Sequence, residues 1–364
     1  MQGPRSPNTT EIPKVFDFLN QTLRNQSTWS IANEYPTAFH SNNIHNIRII
    51  TDNENILSHA VLKPLIVKSP HVIFKVGSIG SVVTAESHRG HGLSTQILEN
   101  CIDSARQQNC DIAILWTDLF EFYRKLGFEL AGSEHSFLIE KPFAVDGPRL
   151  RFSSDLKVSP EALLKLYNQH SVNSVRNVDD IRKFLNIPQT KLYTAWDVDH
   201  QLKAYAVEGK GADLNGYIHE WGGGSVTDLL SLFSWIVSEK KSPITIICPQ
   251  HAHRLAMELK TQATFCNEGF LGMIKILDHD QLFAKIKRSF RSLGIADFVL
   301  EKHPQHCLFG FDKELFTVNT DSALVQLLFG PLNYADLGIF SAENLRKIEN
   351  VLPLKFWIWG WDSI

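Results

Sequence analysis

The sequence predicts an α/β (α+β) protein with a mixed, mostly antiparallel central sheet, followed by a second unit of similar order and a small α+β C-terminal segment. Three observations lead there. The runs His45 to Thr51, Leu57 to Val67 and His71 to Thr84 are rich in branched residues and separated by turn chemistry such as Asp52-Asn53-Glu54-Asn55, so they pair as antiparallel neighbours. The third run leads directly into a glycine loop and a helix. After residue 148 a comparable succession returns, and the residues from 278 onward are too few to build a large core of their own.

Taken in order, Ile12 to Arg24 places Ile12, Val15, Phe16, Leu19 and Leu23 near the helical period and predicts an amphipathic helix. The three strands follow. Behind the glycine loop, a helix from His91 to Gln107 brings Leu93, Ile97, Leu98, Cys101 and Ala105 onto one face. Asp111 to Thr117 is a continuous apolar run, as expected of a strand covered on both sides. A short helix, Glu121 to Leu126, stops at Gly127, a residue type that tolerates a left-handed helix end. A final strand closes the unit.

Lys141 to Pro148 (KPFAVDGP) is turn-rich and predicts a linker, dividing the chain into 1–145, 149–277 and 278–364. The length of 364 residues agrees, since domains usually span ~100 to 200 residues. In the second unit, Pro160 to Asn168 and Val178 to Leu185 read as helices, and Lys191 to Trp196, Lys203 to Glu208 and Asn215 to Trp221 as strands. Helix Thr227 to Lys240 and strand Pro243 to Cys248 complete it. The last segment holds helices Asp280 to Ser292 and Ser322 to Phe329, short strands around Phe298 and Leu308, and an aromatic end, FWIWGWDSI; it is expected to dock on the second unit.

Composition excludes several functions. With a net charge of −3 and no long single-sign run, no nucleic-acid partner is expected. No apolar stretch reaches the ~20 residues of a membrane span and the first residues lack a signal-peptide core, which predicts a cytoplasmic protein with no membrane partner. Five cysteines without a C-x-x-C pair and fifteen histidines without H-E-x-x-H spacing predict neither a disulfide framework nor a metal site. An oligomer is left open.

The chemistry lies at Arg89-Gly90-His91-Gly92-Leu93-Ser94, directly after the strand residues Val82-Val83-Thr84. Glycines one residue apart let successive backbone N–H groups converge at a helix N-terminus, where unpaired donors and the helix dipole favour an anion. A tight strand-to-helix turn is the bland alternative. The loop lacks the G-x-G-x-x-G of a dinucleotide fold and the G-K-[ST] of a P-loop. With Phe122-Tyr123-Arg124-Lys125-Leu126-Gly127-Phe128 some thirty residues on, it resembles the GNAT superfamily of N-acetyltransferases, following the pyrophosphate motif R-x-x-G-x-[GA] except that the small Ser94 stands where Gly or Ala is usual, and matching the Y-x-x-x-G-F segment. Glu34-Tyr35-Pro36-Thr37-Ala38-Phe39 and Leu57-Ser58-His59-Ala60-Val61 are similar to tandem-domain bacterial members of the enhanced-intracellular-survival type. The likeness is good from Tyr35 to Gly132 and weak beyond Pro148.

That resemblance implies acetyl-CoA as cofactor and transfer of an acetyl group to a primary amine of a small molecule or peptide. Backbone groups of Val82, Val83 and Thr84 would hold the pantetheine arm. Arg89, Gly90, His91, Gly92, Leu93 and Ser94 would hold the pyrophosphate, with the Ser94 hydroxyl able to reach a phosphate. Tyr123 would be the general acid. Candidates for the base are Glu34, His59 and, by analogy with the tandem relatives, the terminal carboxylate of Ile364; the aromatic residues Phe356, Trp357, Trp359 and Trp361 fit a buried tail, which could equally serve packing alone. Gly222-Gly223-Gly224-Ser225 in the second unit lacks the basic residue and spaced glycines, so no second coenzyme A site is expected. Trp29, Trp116 and Trp221 could line an amine cleft but are assigned to the core, and Glu220 is either a substrate carboxylate or internally paired. Two other readings remain: a non-catalytic acyl-CoA sensor, and a peptidoglycan-bridge aminoacyltransferase, which has no need of an intact coenzyme A loop.

Overall fold

The computed structural model describes residues 1–154 and 157–364 and contains three sheets. In chain order the first elements are β1 (Gln2–Arg5), α1 (Ile12–Leu23), α2 (Ile31–Glu34), β2 (Ile47–Asp52), β3 (Asn55–Lys68), β4 (Ile73–Thr84), α3 (Leu93–Gln107), β5 (Ile112–Leu115), α4 (Phe120–Arg124) and β6 (Glu129–Ala131). There follow β7 (Glu134–Ile139), β8 (Arg151–Ser153), α5 (Pro160–Tyr167), β9 (Asn173–Ser174), α6 (Val178–Phe184), β10 (Lys191–Trp196), β11 (Leu202–Lys210), β12 (Asp213–Gly223), α7 (Val226–Lys240), β13 (Ile244–Pro249), α8 (His253–Gln262), β14 (Phe265–Gly269) and β15 (Gly272–Ile276). The C-terminal segment adds α9 (His279–Ser292), β16 (Phe298–Lys302), β17 (Cys307–Phe311), β18 (Glu314–Val318), α10 (Asp321–Phe329) and α11 (Ala342–Glu349).

The first sheet runs β1-β2-β3-β4-β5-β15-β6, with β9 on the far end of β3; the second runs β14-β7-β13-β12-β11-β10-β8. Most pairings are antiparallel, and each large sheet has one parallel step, β4 to β5 and β12 to β13. The two units exchange a strand. β7 leaves the first unit to lie between β13 and β14, while β15 returns to lie between β5 and β6. The boundary expected at residue 145 therefore does not divide the sheets, because the chain has already crossed at Glu134 and comes back at Gly272. The Pro-containing start, with no predicted strand, forms β1 at the sheet edge, where the missing N–H of Pro4 costs little pairing.

Two apolar clusters cover the faces of the first sheet. Val15, Leu19 and Ile31 of the N-terminal helices pack on one face, and Leu93, Ile97, Leu98 and Cys101 of α3 pack on the other. The C-terminal segment docks on the first unit as well as the second. Asp111, fully buried at the start of β5, requires a cation, and Lys285 of α9 supplies it at 2.6 Å; the Gly132 N–H also donates to the Gly330 carbonyl at 3.2 Å.

Several buried histidines tie stability to pH. Burial pushes His59 down to about 4 and both His170 and His219 down to about 3, below the ordinary value of 6.5. The unfolded chain binds these protons first, so their contribution is complete above about pH 6.5 and is lost as pH falls towards 4. The thermal midpoint should drop over this window; a flat profile from pH 7 to 4.5 would contradict the neutral buried state.

Candidate active site

The glycine loop sits where the sequence places it. Gly92, with φ +76°, is the N-cap of α3, and Gly90 has φ +81°. Both conformations strain any residue with a Cβ, yet a Cβ at either position would meet nothing within 4 Å, so the space beside the loop is open. No side chain caps α3 and no acidic residue lies in its first turn, which leaves the first N–H groups available to an anion. Arg89 is exposed, and its guanidinium has no partner among the described residues. These features fit a pyrophosphate. Ser94 departs from expectation: its hydroxyl bonds Thr84 Oγ1 at 2.7 Å, and Thr84 in turn meets Ser58 Oγ at 2.8 Å, so it ties α3 to the strands.

Beside the loop, β4 and β5 separate. Their pairing covers only Val76–Ile112, Gly77–Ala113 and Ser78–Ile114, whereas β4 continues to Thr84. Its edge from Ile79 onward, including Val82 and Val83, thus offers backbone donors and acceptors to whatever enters the cleft. A bulge interrupts the β3–β4 pairing between His59 and Val61, with Ser81 at φ +49°. His59 secures it, donating Nδ1–H to the Ser81 carbonyl at 2.8 Å.

The chain ends against this strand. A Cβ built on Gly80 would lie 2.6 Å from the terminal carbon of Ile364 and 2.7 Å from its oxygen, so only glycine admits the carboxylate there. The second unit holds the tail in place. Arg176 pairs with Glu220 at 2.6 Å and with Asp362 at 2.8 Å, all three groups being nearly inaccessible, and its guanidinium lies 3.8 Å over the Tyr167 ring. Burial opposes the Arg176 charge, but Asp362 and Glu220 outweigh it and raise its pKa. Fully buried Lys210 donates to the carbonyls of Gly360 (2.8 Å) and Ser363, and burial lowers its pKa to about 8. Trp359 donates from Nε1 to the Val172 carbonyl at 3.0 Å, and Phe356, Trp357 and Trp361 are buried alongside it.

Tyr123 lies in the apolar cluster with Ile79, Leu93 and Leu115, edge-on to Phe122 and Phe128. Its hydroxyl has no hydrogen-bond partner among the described residues, and burial raises its pKa to about 12. Of the three base candidates, Glu34 is committed elsewhere: it receives Arg24 at 2.6 Å, Trp29 Nε1 at 2.5 Å and the Ala212 N–H at 3.0 Å, with no solvent exposure. It is a structural anchor between the units. His59 is buried and neutral, its donor spent on the bulge. Of the three, Ile364 alone brings to β4 a carboxylate with no hydrogen-bond partner among the described residues. Glu220 proves internally paired, Trp221 is core with Nε1 bonded to the Ile247 carbonyl, and Trp116 is only half-buried and lines a cavity beside the tail. Gly80, Arg176, Lys210 and Asp362 were not legible as site residues, because only tertiary contact joins them.

A family model described as an acetyltransferase (GNAT) domain matches residues 4–131. No curated protein matches the sequence. Among solved structures, the chain is similar to a GCN5-related N-acetyltransferase from Anabaena variabilis over 99% of both chains, at 13% identity and a TM-score of 0.68. It is similar to another from Kribbella flavida over 97% of both chains (14%, 0.65). It also resembles Eis1 from Mycobacterium abscessus over 94% of this chain and 95% of that one (12%, 0.60). These likenesses establish the fold along the whole chain.

Proposed function

We propose that this chain transfers an acetyl group from acetyl-CoA to a primary amine of a small molecule or peptide, a reading supported by the match of residues 4–131 to the model of an acetyltransferase (GNAT) domain. The terminal carboxylate seated against Gly80 carries the reading. Acetyl-CoA supplies the acyl group already activated as a thioester. Arg89 and the N–H groups from Gly90 to Ser94 would hold its pyrophosphate, and the unpaired β4 edge at Val82 and Val83 would orient its pantetheine arm.

Proton handling falls to two residues. The amine must be neutral to attack, and we assign the taking of its proton to the Ile364 carboxylate, a reading supported by its position against Gly80 of β4. The departing sulfur needs a proton, which the Tyr123 O–H can give; with its pKa at about 12, that hydroxyl is protonated at neutral pH. Arg176 and Lys210 act through the tail and position the carboxylate.

Tyr123→Phe tests the acid role. Its hydroxyl makes no hydrogen bond to any of the described residues, so the variant should fold and bind acetyl-CoA normally while coenzyme A release falls about a hundredfold. Unchanged turnover with every amine tried would remove Tyr123 from the chemistry.

A further inference from the structure

A cavity of about 330 Å3 adjoins the terminal residue, at the place where the first sheet opens. Trp116, which follows β5, lines one side of it, and Ile364, whose carboxyl group rests against Gly80 of β4, lines another. By then β4 and β5 have separated, their pairing ending at Ser78 and Ile114. The cavity is therefore continuous with the cleft assigned to acyl transfer, and its volume falls at the lower end of the range of small-molecule sites, about 300 to 1,000 Å3.

The polar side chains of its wall are engaged or sealed. Lys210 donates to the carbonyls of the tail, and Asp213 accepts from Arg24 at 3.0 Å and from the Tyr35 hydroxyl. Glu134 accepts from Ser136, and burial raises its pKa to about 7, so it carries no full charge at neutral pH. His219 and Trp357 are each 2% exposed, and a Cβ on Gly360 would collide with the His219 ring, which closes that ring off behind the tail. The Trp116 indole N–H is spent on the Leu271 carbonyl at 2.8 Å, which leaves the ring itself to the cavity. What a guest meets is apolar: Trp116, Leu214, Ile247 and Ile364 are all half-buried there, so part of their surface stays in water until something covers it. Leu214 holds a left-handed backbone (φ +55°), where asparagine or glycine is the usual occupant. Strain of this kind gathers at ligand sites, and here it sets an apolar side chain on the cavity wall.

We infer that this cavity is an apolar subsite, bounded by Trp116, Leu214 and Ile247, that holds the aryl group of an arylalkylamine acceptor. This rests on the acetyl-transfer reading above and narrows its acceptor. An aryl ring packs on the Trp116 face and removes Leu214 and Ile247 from water, while its alkyl chain leads the amine back to the tail. A short amine leaves that surface wet, and a diamine would bring a second charge to a wall whose acids are already engaged.

The test offers the full chain three primary amines of one chain length, 4-phenylbutylamine, butylamine and 1,4-diaminobutane, and reads kcat/KM from coenzyme A release. The phenyl amine should be favoured over butylamine by at least about tenfold, the effect of burying most of one aromatic ring, and the diamine should be the poorest of the three. Leu214→Trp and Ile247→Phe each fill the cavity from a different side, and both are checked for folding by their thermal midpoints. In either variant the ratio of phenyl amine to butylamine should fall to within about twofold. Equal use of these two amines by the wild-type chain overturns the assignment, as does a preference for the diamine or a phenyl preference that survives both filling variants. If none of the three is acetylated while other primary amines are, the acceptor class is wrong; if no amine of any kind is acetylated, the transfer reading itself falls and takes the assignment with it.

Discussion

Gly80→Ala is expected to lower kcat by about two to four orders of magnitude, the range over which a positioned acid or base acts, with acetyl-CoA affinity little changed. The methyl group would need the space now held by the terminal carbon of Ile364, 2.6 Å from the ideal Cβ position. Backbone cannot yield there: β4 is paired to β3 on one side, and Gly80 opposes Val61 in that register. The tail yields instead, taking the carboxylate with it. Extending the chain by two glycines past Ile364 should produce the same loss by moving the charge, without touching β4. If both variants turned over at the wild-type rate, the terminal carboxylate would have no part in the reaction.

Arg176→Met should destabilise the protein by about 3 to 5 kcal/mol, the cost of removing one partner from a buried ionic network. Glu220 and Asp362 would lose the guanidinium that pairs with both of them in a site closed to water. Urea denaturation measures this directly, and a loss under about 1 kcal/mol would mean that water replaces the guanidinium. Replacing Arg176, Glu220 and Asp362 together by apolar residues of similar volume should recover much of the stability. It should not recover turnover, since Asp362 lies two residues from the terminal carboxylate.

The cradle was legible in the sequence because its physics is local. Gly90 and Gly92 announce a left-handed turn, and Leu93, Ile97, Leu98 and Cys101 announce the helix behind it. The strands carrying Val82 and His59 are equally readable from their branched residues and the turn chemistry between them. What lay hidden depends on long-range pairing. The sheet neighbours of Glu134–Ile139 and Gly272–Ile276 depend on tertiary contact, because alternation fixes a strand's faces and not its neighbours. The fate of Glu34 and Glu220 turned on Arg24 and Arg176, ten and forty-four residues away, and no spacing rule connects such pairs. The sequence offers Ser94 as a phosphate ligand, but its hydroxyl is hydrogen-bonded to that of Thr84.

The exchange of strands gives the second unit a direct part in the proposed chemistry. It completes the first sheet through β15, receives β7 in return, and through Arg176 and Lys210 holds the tail that ends at Gly80. A chain cut near residue 145 would lack the strand between β5 and β6 and also the terminal carboxylate.

Coenzyme A release from acetyl-CoA by the full chain, scored against polyamines, amino acids, aminoglycosides and peptide N-termini with the acetylated product identified by mass, tests the central claim most directly. The account predicts amine-dependent release, with one acetyl group on a primary amine for each thiol formed. Tight acetyl-CoA binding with no release above background for any amine would contradict it and leave a non-catalytic acyl-CoA sensor.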